Sequence, residues 1–399
     1  MSLSRTSIWT DSVHVRIASH DAATRTSNTR FNVTIDTWPV RAGNGLRGIS
    51  LIAANFPNNV ANIRTGVNDE LRITTSEETA TVTITPFMST RYRYKKDGDG
   101  TFSDWIELLS TDGVGTVGTY YNNFSLTSSV ITQVRNHFQS LTGYAAADLY
   151  YPILDSGPSE LYGFKLDYPV NNYIFEVDSR PANSVPRAAA FVDSDGGGIV
   201  TLNDVRQRFN PFAKVLTIPE GFYTDTQLAE AINGQINAVF TSPAGYSCQV
   251  SETVPASVED GKFVFTVAAS ETLTVYGTTF GSSIGGVFGL DGYIGGALNV
   301  TIPEFPNLHG PGSLYVHSSI LAQKNTVDGD GAHISVVKSI PLDVPHRGQV
   351  SWQNDSFTPD VVFRASPVYK TINITLRDSF GNNVDIGTGE LELFFRVFV

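Results

Sequence analysis

Twelve residues near the middle of the chain, Asp193-Ser194-Asp195-Gly196-Gly197-Gly198-Ile199-Val200-Thr201-Leu202-Asn203-Asp204, have the spacing of a calcium-binding loop. Acids stand at positions one, three and twelve, glycine at six and an aliphatic residue at eight. Ca2+ takes about six to eight oxygens. Asp193, Asp195 and Asp204 offer carboxylates, Thr201 a hydroxyl and Ile199 a carbonyl, with water for the remainder. Two positions depart from the pattern: Gly197 replaces the usual Asp or Asn, and Asp204 is shorter than the usual Glu. The other reading is an acidic surface turn, because Asp-Gly clusters are ordinary turn chemistry. The following VRQRF, Val205–Phe209, reads as helix-like. Asp193, Asp195, Thr201 and Asp204 are thus the candidate metal ligands and Ca2+ the candidate ion; no other cofactor is expected. Two further Asp-Gly clusters, Lys95–Gly100 and Val327–Gly331, lack downstream acids and read as turns.

Little else in the chain has the spacing of chemistry. The seven histidines, His14, His20, His137, His309, His317, His333 and His346, form no metal-ligand pair on a helix, and Cys248 has no neighbouring histidine. No G-x-S-x-G elbow or phosphate-cradling Gly-Lys-Ser/Thr loop occurs. The Gly-rich run Gly281–Gly296 lacks a strand-loop-helix setting and reads as a tightly bent loop. No catalytic residue is expected, and the chain reads as a non-enzyme. Aromatic residues crowd one region: Tyr92, Tyr94, Trp105, Tyr120, Tyr121, Tyr150 and Tyr151. They suit a carbohydrate- or protein-binding surface and equally suit strand interiors.

The clearest single element is a helix within Leu216–Phe240. Leu228, Ile232, Ile236 and Phe240 recur at helical spacing, with Ala231 and Val239 on the same face. Thr224, Asp225 and Thr226 offer oxygens to the first-turn N–H groups. Such a stripe must lie on a sheet. A weaker copy, Phe124–Leu141, carries Val130, Val134, Phe138 and Leu141; each unit runs into a Gly-Tyr pair and later a Gly-led strand, as in an internal repeat or a convergent solution.

The rest alternates as strands do. Val13–Ile17, Phe31–Ile35 and Ile49–Ala54 open the chain, and Leu71–Thr74 with Thr81–Thr85 reads as a hairpin. Tyr162–Tyr168 and Tyr173–Val177 follow, then Lys262–Val267 and Leu273–Tyr276. The last third holds Leu314–Ile320, His333–Ile340, Gln349–Trp352, Thr371–Leu376 and Leu391–Val397, with a turn at Asp378–Asn383. Many short strands and few helices predict a mainly β fold, an antiparallel jelly-roll sandwich with a large β-rich insertion and two short amphipathic helices. The expected division is 1–88 for the first part of the jelly roll, 89–212 for the insertion, and 213–399 for a helix-containing segment and the remaining strands. A final strand, Glu390–Val399, is expected to lock into a sheet.

Of the 399 residues, 17% are charged and 41% hydrophobic, a composition suited to compact β structure. The single cysteine excludes an intrachain disulfide, so a reducing compartment is the simpler expectation. No leader or membrane-spanning run is visible, so neither secretion nor a membrane span is expected. A formal net charge of −12 speaks against generic nucleic-acid binding, and no sequence-specific nucleic acid is expected as partner. The first segment runs against this balance: Arg5, Arg16, Arg25, Arg30, Arg41, Arg47 and Arg64 face only Asp11, Asp21 and Asp36. It is either a solvated face or an electrostatic contact.

Six stretches carry a likeness in fixed order: FPNNVANI at Phe56–Ile63, LTIPEGFYTDTQLAEAIN at Leu216–Asn233, FGSSIGGVFGL at Phe280–Leu290, SLYVHSSILAQ at Ser313–Gln323, SIPLDVPHRGQVSW at Ser339–Trp352 and INITLRDSFGNNVDIGTGELEL at Ile372–Leu393. In these the chain resembles the penton and minor-capsid jelly-roll proteins of tailless icosahedral double-stranded DNA viruses of eukaryotes, such as virophages, polinton-like viruses and nucleocytoplasmic large DNA viruses. Residues 89–212 match only through the helix copy. The resemblance implies an upright jelly roll in a capsid with an outward-projecting insertion, and no catalytic residues. It implies a structural virion protein, a homopentameric penton at the fivefold vertices, assembled inside the host cell beside major and minor capsid proteins. A minor capsid protein linking major capsomers is the alternative within that class. A receptor- or glycan-binding adhesin, acting through the insertion, is the alternative outside it.

Overall fold

The computed structural model describes residues 12–34, 48–77, 79–96, 98–110, 117–120, 123–142, 163–164, 173–190, 199–201, 205–206, 211–252, 260–319, 326–327, 333–354, 359–362 and 371–398. The chain divides into two compact units, one of residues 1–62, 220–222 and 309–399, the other of 63–219 and 223–308.

The first unit holds eight principal strands: β1 (Ser12–Ala18), β2 (Arg30–Thr34), β3 (Gly48–Pro57), β4 (Ser313–His317), β5 (Val336–Pro341), β6 (Gln349–Gln353), β7 (Thr371–Arg377) and β8 (Glu392–Phe398). They pair in two antiparallel sheets, β1-β8-β3-β6 and β2-β7-β4-β5. Successive strands alternate or cross between the sheets in the jelly-roll order expected from the sequence. The short strand Thr24–Ser27 extends the second sheet beside β2, and Val361–Val362 pairs with the start of β3.

Alternation decides which side chains fill the sandwich. In β7, Ile372, Ile374 and Leu376 point inward while Thr371, Asn373, Thr375 and Arg377 lie on the wet face. Leu393, Phe395 and Val397 of β8 meet Leu51, Ala54 and Phe56 of β3, with Phe31, Val33, Leu314 and Val316 completing one apolar core. One polar group closes its edge. Asp360 accepts hydrogen bonds from Ser50 Oγ at 2.7 Å and Leu51 N at 3.0 Å, and pairs with Lys338 Nζ of the opposite sheet at 2.6 Å.

All of the second unit is inserted between β3 and β4. The chain leaves the first unit after Asn62, returns to it for Glu220–Phe222 and re-enters at His309, and a Cβ on Gly310 would lie 3.7 Å from Asn62 Cβ. The exit and return points therefore adjoin. This division differs from the expected one. Glu70–Thr75, the helix after Thr224 and Leu273–Tyr276 lie in the inserted unit, because alternation identifies a strand without naming the sheet it joins.

The inserted unit has two cores. In one, the strands Lys214–Thr217, Glu70–Thr75, Leu273–Tyr276 and Tyr293–Ala297 form a sheet in that order, and Ser247–Val250, Phe263–Thr266 and Asn299–Thr301 form another. In the second, Ile199–Thr201, Tyr173–Asp178, Ser89–Lys96 and Ile106–Leu109 form a sheet covered by a twenty-residue helix, α1 (Asn123–Thr142). The fifteen-residue helix α2 (Asp225–Val239) belongs to the first core. Its start is a capping box: Thr224 accepts from Gln227 N, and the Gln227 side chain accepts from Thr224 N. Leu228, Ala229, Ile232 and Ile236 are buried. Asn233 clamps the helix to the neighbouring strand, donating to Cys248 O at 2.8 Å and accepting from Cys248 N at 2.7 Å.

Three local expectations are corrected. Glu70–Thr75 pairs with Lys214–Thr217 and Leu273–Tyr276, not with the Val82–Ile84 strand, which pairs with Gly118–Tyr120, so no hairpin joins them. The Gly-rich passage is more than a loop: it contains a helical turn, Gly285–Phe288, and the strand Tyr293–Ala297. Its glycines permit close backbone approach, for a Cβ on Gly285 would lie 2.6 Å from Thr278 N. Val205-Arg206 is a strand paired with Gly163-Phe164, not the start of a helix, since pairing overrides weak local helix preference. Of the expected Tyr162–Tyr168 strand, Gly163–Phe164 is described as strand and the remaining positions lie outside the described residues.

Candidate functional site

Of the calcium-loop residues, Asp193, Asp195 and Asp204 lie outside the described residues. Thr201 ends the strand Ile199–Thr201, where its backbone stands opposite Glu176. Among the described residues, no three His, Cys, Asp or Glu side chains gather as a metal-binding group. His14 approaches Arg396, His20 pairs with Asp21 and Glu390, and His137 shares a 2.7 Å hydrogen bond with Tyr92. These three histidines thus serve separate local contacts. Cys248 is buried, and that burial pushes its thiol well above its ordinary range.

The aromatic pool divides. Tyr92 is fully buried, and Tyr94 packs among Phe138, Tyr173 and Phe175 at ring separations of 5.0–6.2 Å, so these two are core residues. Burial also raises the Tyr92 phenol above its usual range. Trp105 lies on the opposite face of the sheet beneath Arg93, whose guanidinium is 4.6 Å from the ring centroid. Phe102 takes Arg93 at 4.6 Å and Lys95 at 4.8 Å. The strand Ser89–Lys96 sends tyrosines into the core and cations to the other face, where Arg93 also meets Glu176 at 2.6 Å. Tyr121, Tyr150 and Tyr151, and the side chain of Tyr120, lie outside the described set.

The early arginines also divide. Arg16 donates to Glu392 and stands 3.6 Å from both Asp21 and Glu390, which holds the Glu392 carboxyl below its usual range. Arg16 is therefore committed within the chain. Arg25 donates to Asn28 at 3.0 Å. Arg5, Arg41 and Arg47 are outside the described residues.

Arg30 belongs to a different setting. On the outer face of the second jelly-roll sheet, Thr24 and Thr26, Arg30 and Asn32, and Asn373, Thr375 and Arg377 line an open groove of about 320 Å3. Register places them together: Arg30 stands opposite Thr375 and Asn32 opposite Asn373. Asn32 Nδ2 donates to Thr24 Oγ1 at 2.9 Å, while Ser318 and Ser319 hydroxyls each donate to Asn373 Oδ1 at 3.2 Å. Arg377 Nε is buried without a hydrogen-bond partner among the described residues. Neither Arg30 nor Arg377 has a carboxylate within ion-pair distance among the described residues. Beside them, burial and the Arg377 charge lower His317 to about 4. His317 is consequently neutral at pH 7 and leaves the two guanidinium groups as the charges of the groove.

Sequence reasoning missed this groove because its residues come from three strands, most of them at wet positions. The available signal was the outward set of Thr371–Arg377, which reads Thr, Asn, Thr, Arg with no acid.

No family model and no curated protein sequence matches the chain. A solved structure, the crystal structure of SeMet-labeled mavirus penton protein, aligns over 97% of this chain and 99% of that one, with 6% identity and a TM-score of 0.33. Among the described residues, no helix is long and apolar enough to cross a membrane.

Proposed function

We propose that the chain is a structural virion protein, a penton capsomer that closes the fivefold vertices of an icosahedral capsid as a homopentamer. The observation that carries this reading is the jelly-roll order of eight strands around an interior filled by apolar side chains of both sheets. Jelly rolls serve as capsid subunits, lectins and small-molecule barrels. A filled interior turns function to the outer faces and edges, as a shell subunit requires. The six-stretch resemblance supports the same reading. Major and minor capsid proteins are the partners it implies, and the virion its location.

Light scattering of the purified chain tests this. The expected mass is that of five 43.3 kDa protomers. A strict monomer overturns self-assembly into a penton and favours a minor capsid protein ordered by its neighbours. The same measurement in calcium and in chelator tests the Asp193–Asp204 loop. Loss of the pentamer on chelation assigns Asp193, Asp195, Thr201 and Asp204 to a structural Ca2+ site, whereas an unchanged mass leaves them an acidic turn at the assembly level.

A further inference from the structure

We propose that the groove on the outer face of the second jelly-roll sheet binds a tetrahedral oxyanion, phosphate or sulfate, between Arg30 and Arg377. Arg30 pairs in register with Thr375, and Arg377 lies two residues further along β7 on the same face. Their Cα atoms are therefore diagonal neighbours, about 7–8 Å apart, within reach of one small anion between the two side chains. Each guanidinium presents several N–H donors in a planar fork, a geometry that matches oxyanions.

Three observations give the groove this chemistry. Among the described residues its lining contains two arginines but no Asp or Glu, although the chain as a whole carries a formal charge of −12. Arg377 Nε is buried with no acceptor among the described residues, a state that costs free energy unless a ligand supplies one. Thr24 Oγ1 already accepts from Asn32, which turns its own O–H toward other acceptors. A groove of about 320 Å3 also lies at the small-ligand end of binding-site sizes.

The shape of the donor set selects the anion. A carboxylate offers two oxygens in one plane, and a single arginine fork satisfies it. Here donors rise from the strand Thr24–Ser27, from β2 and from β7, so an anion whose oxygens point in three or four directions engages more of them. The proposal is independent of capsid assembly.

Isothermal titration of the full-length chain with sodium sulfate and sodium phosphate, against sodium chloride at matched ionic strength, tests it. Saturable binding of sulfate or phosphate is expected. Arg30→Gln, at an exposed position, and Arg377→Gln are each expected to weaken it about tenfold or more, the loss of one charge-assisted contact. Arg377→Lys, which keeps the charge without the fork, is expected to weaken it less. Arg25→Gln, a neighbouring arginine outside the lining, is expected to leave it unchanged. Circular dichroism confirms the fold of each variant, and Arg30→Gln decides the matter if Arg377→Gln unfolds. No saturable heat beyond chloride, binding unchanged in folded Arg30→Gln, or acetate binding as tight as sulfate would each overturn the proposal.

Discussion

His317 shows how one side chain couples the outer sheet face to pH. Its position on β4 removes it partly from water, and the Arg377 charge adds to that burial, so the folded chain accepts its proton only near pH 4 instead of 6.5. The unfolded chain protonates at the ordinary value. Between about pH 6.5 and 4 the unfolded state therefore binds more protons, and stability falls as pH falls through that window; above it His317 contributes no pH dependence. In His317→Gln this component disappears. Thermal melts at pH 7 and 4.5 are expected to show a drop smaller than wild type by about 2 °C, a modest figure because solvent screens a half-buried group. An equal drop in both proteins would remove His317 from the acid response.

At the scale of elements, α2 tests how far local sequence fixes structure. Thr224 and Gln227 satisfy first-turn donors reciprocally, so Thr224→Ala is expected to cost about 1 kcal/mol, read as a lowered denaturation midpoint with unchanged slope. This helix was legible because capping residues, an apolar stripe and a length of four turns all agree. The jelly-roll strands were legible for a similar reason: TINITLR and ELFFRVF declare their inward faces by alternation alone. Partner choice was not. Leu71 and Ile73 alternate like any strand, and nothing in them names Lys214–Thr217 and Leu273–Tyr276 as neighbours. The unit boundary was misplaced by the same gap in information. The groove stayed hidden as well, since Arg30 and Arg377 become one site only through the pairing of β2 with β7. Glycines misled in the opposite direction: Gly285 and Gly295 read as a loop, whereas their missing Cβ atoms admit close packing in a helical turn and a strand.

In sequence the second unit is inserted within the first, and a Cβ on Gly310 would lie 3.7 Å from Asn62 Cβ. Replacing residues 63–308 by a short Gly/Ser linker, which also removes Glu220–Phe222 of the first unit, is expected to leave a jelly roll that melts cooperatively, followed by circular dichroism and calorimetry. A chain without a cooperative transition would show that the first unit depends on the second for its fold. The same arrangement has a consequence for biosynthesis. β8 lies between β1 and β3, and Arg16 on β1 reaches Glu392 on β8 across 376 residues of sequence. On the ribosome, three strands with open edges emerge and then wait for partners still to be translated. At ~5–20 residues per second that wait is on the order of tens of seconds, long enough for the inserted unit to collapse first. The first strands translated are thus the last to be closed, and during that interval their apolar faces are those a chaperone would have to shield.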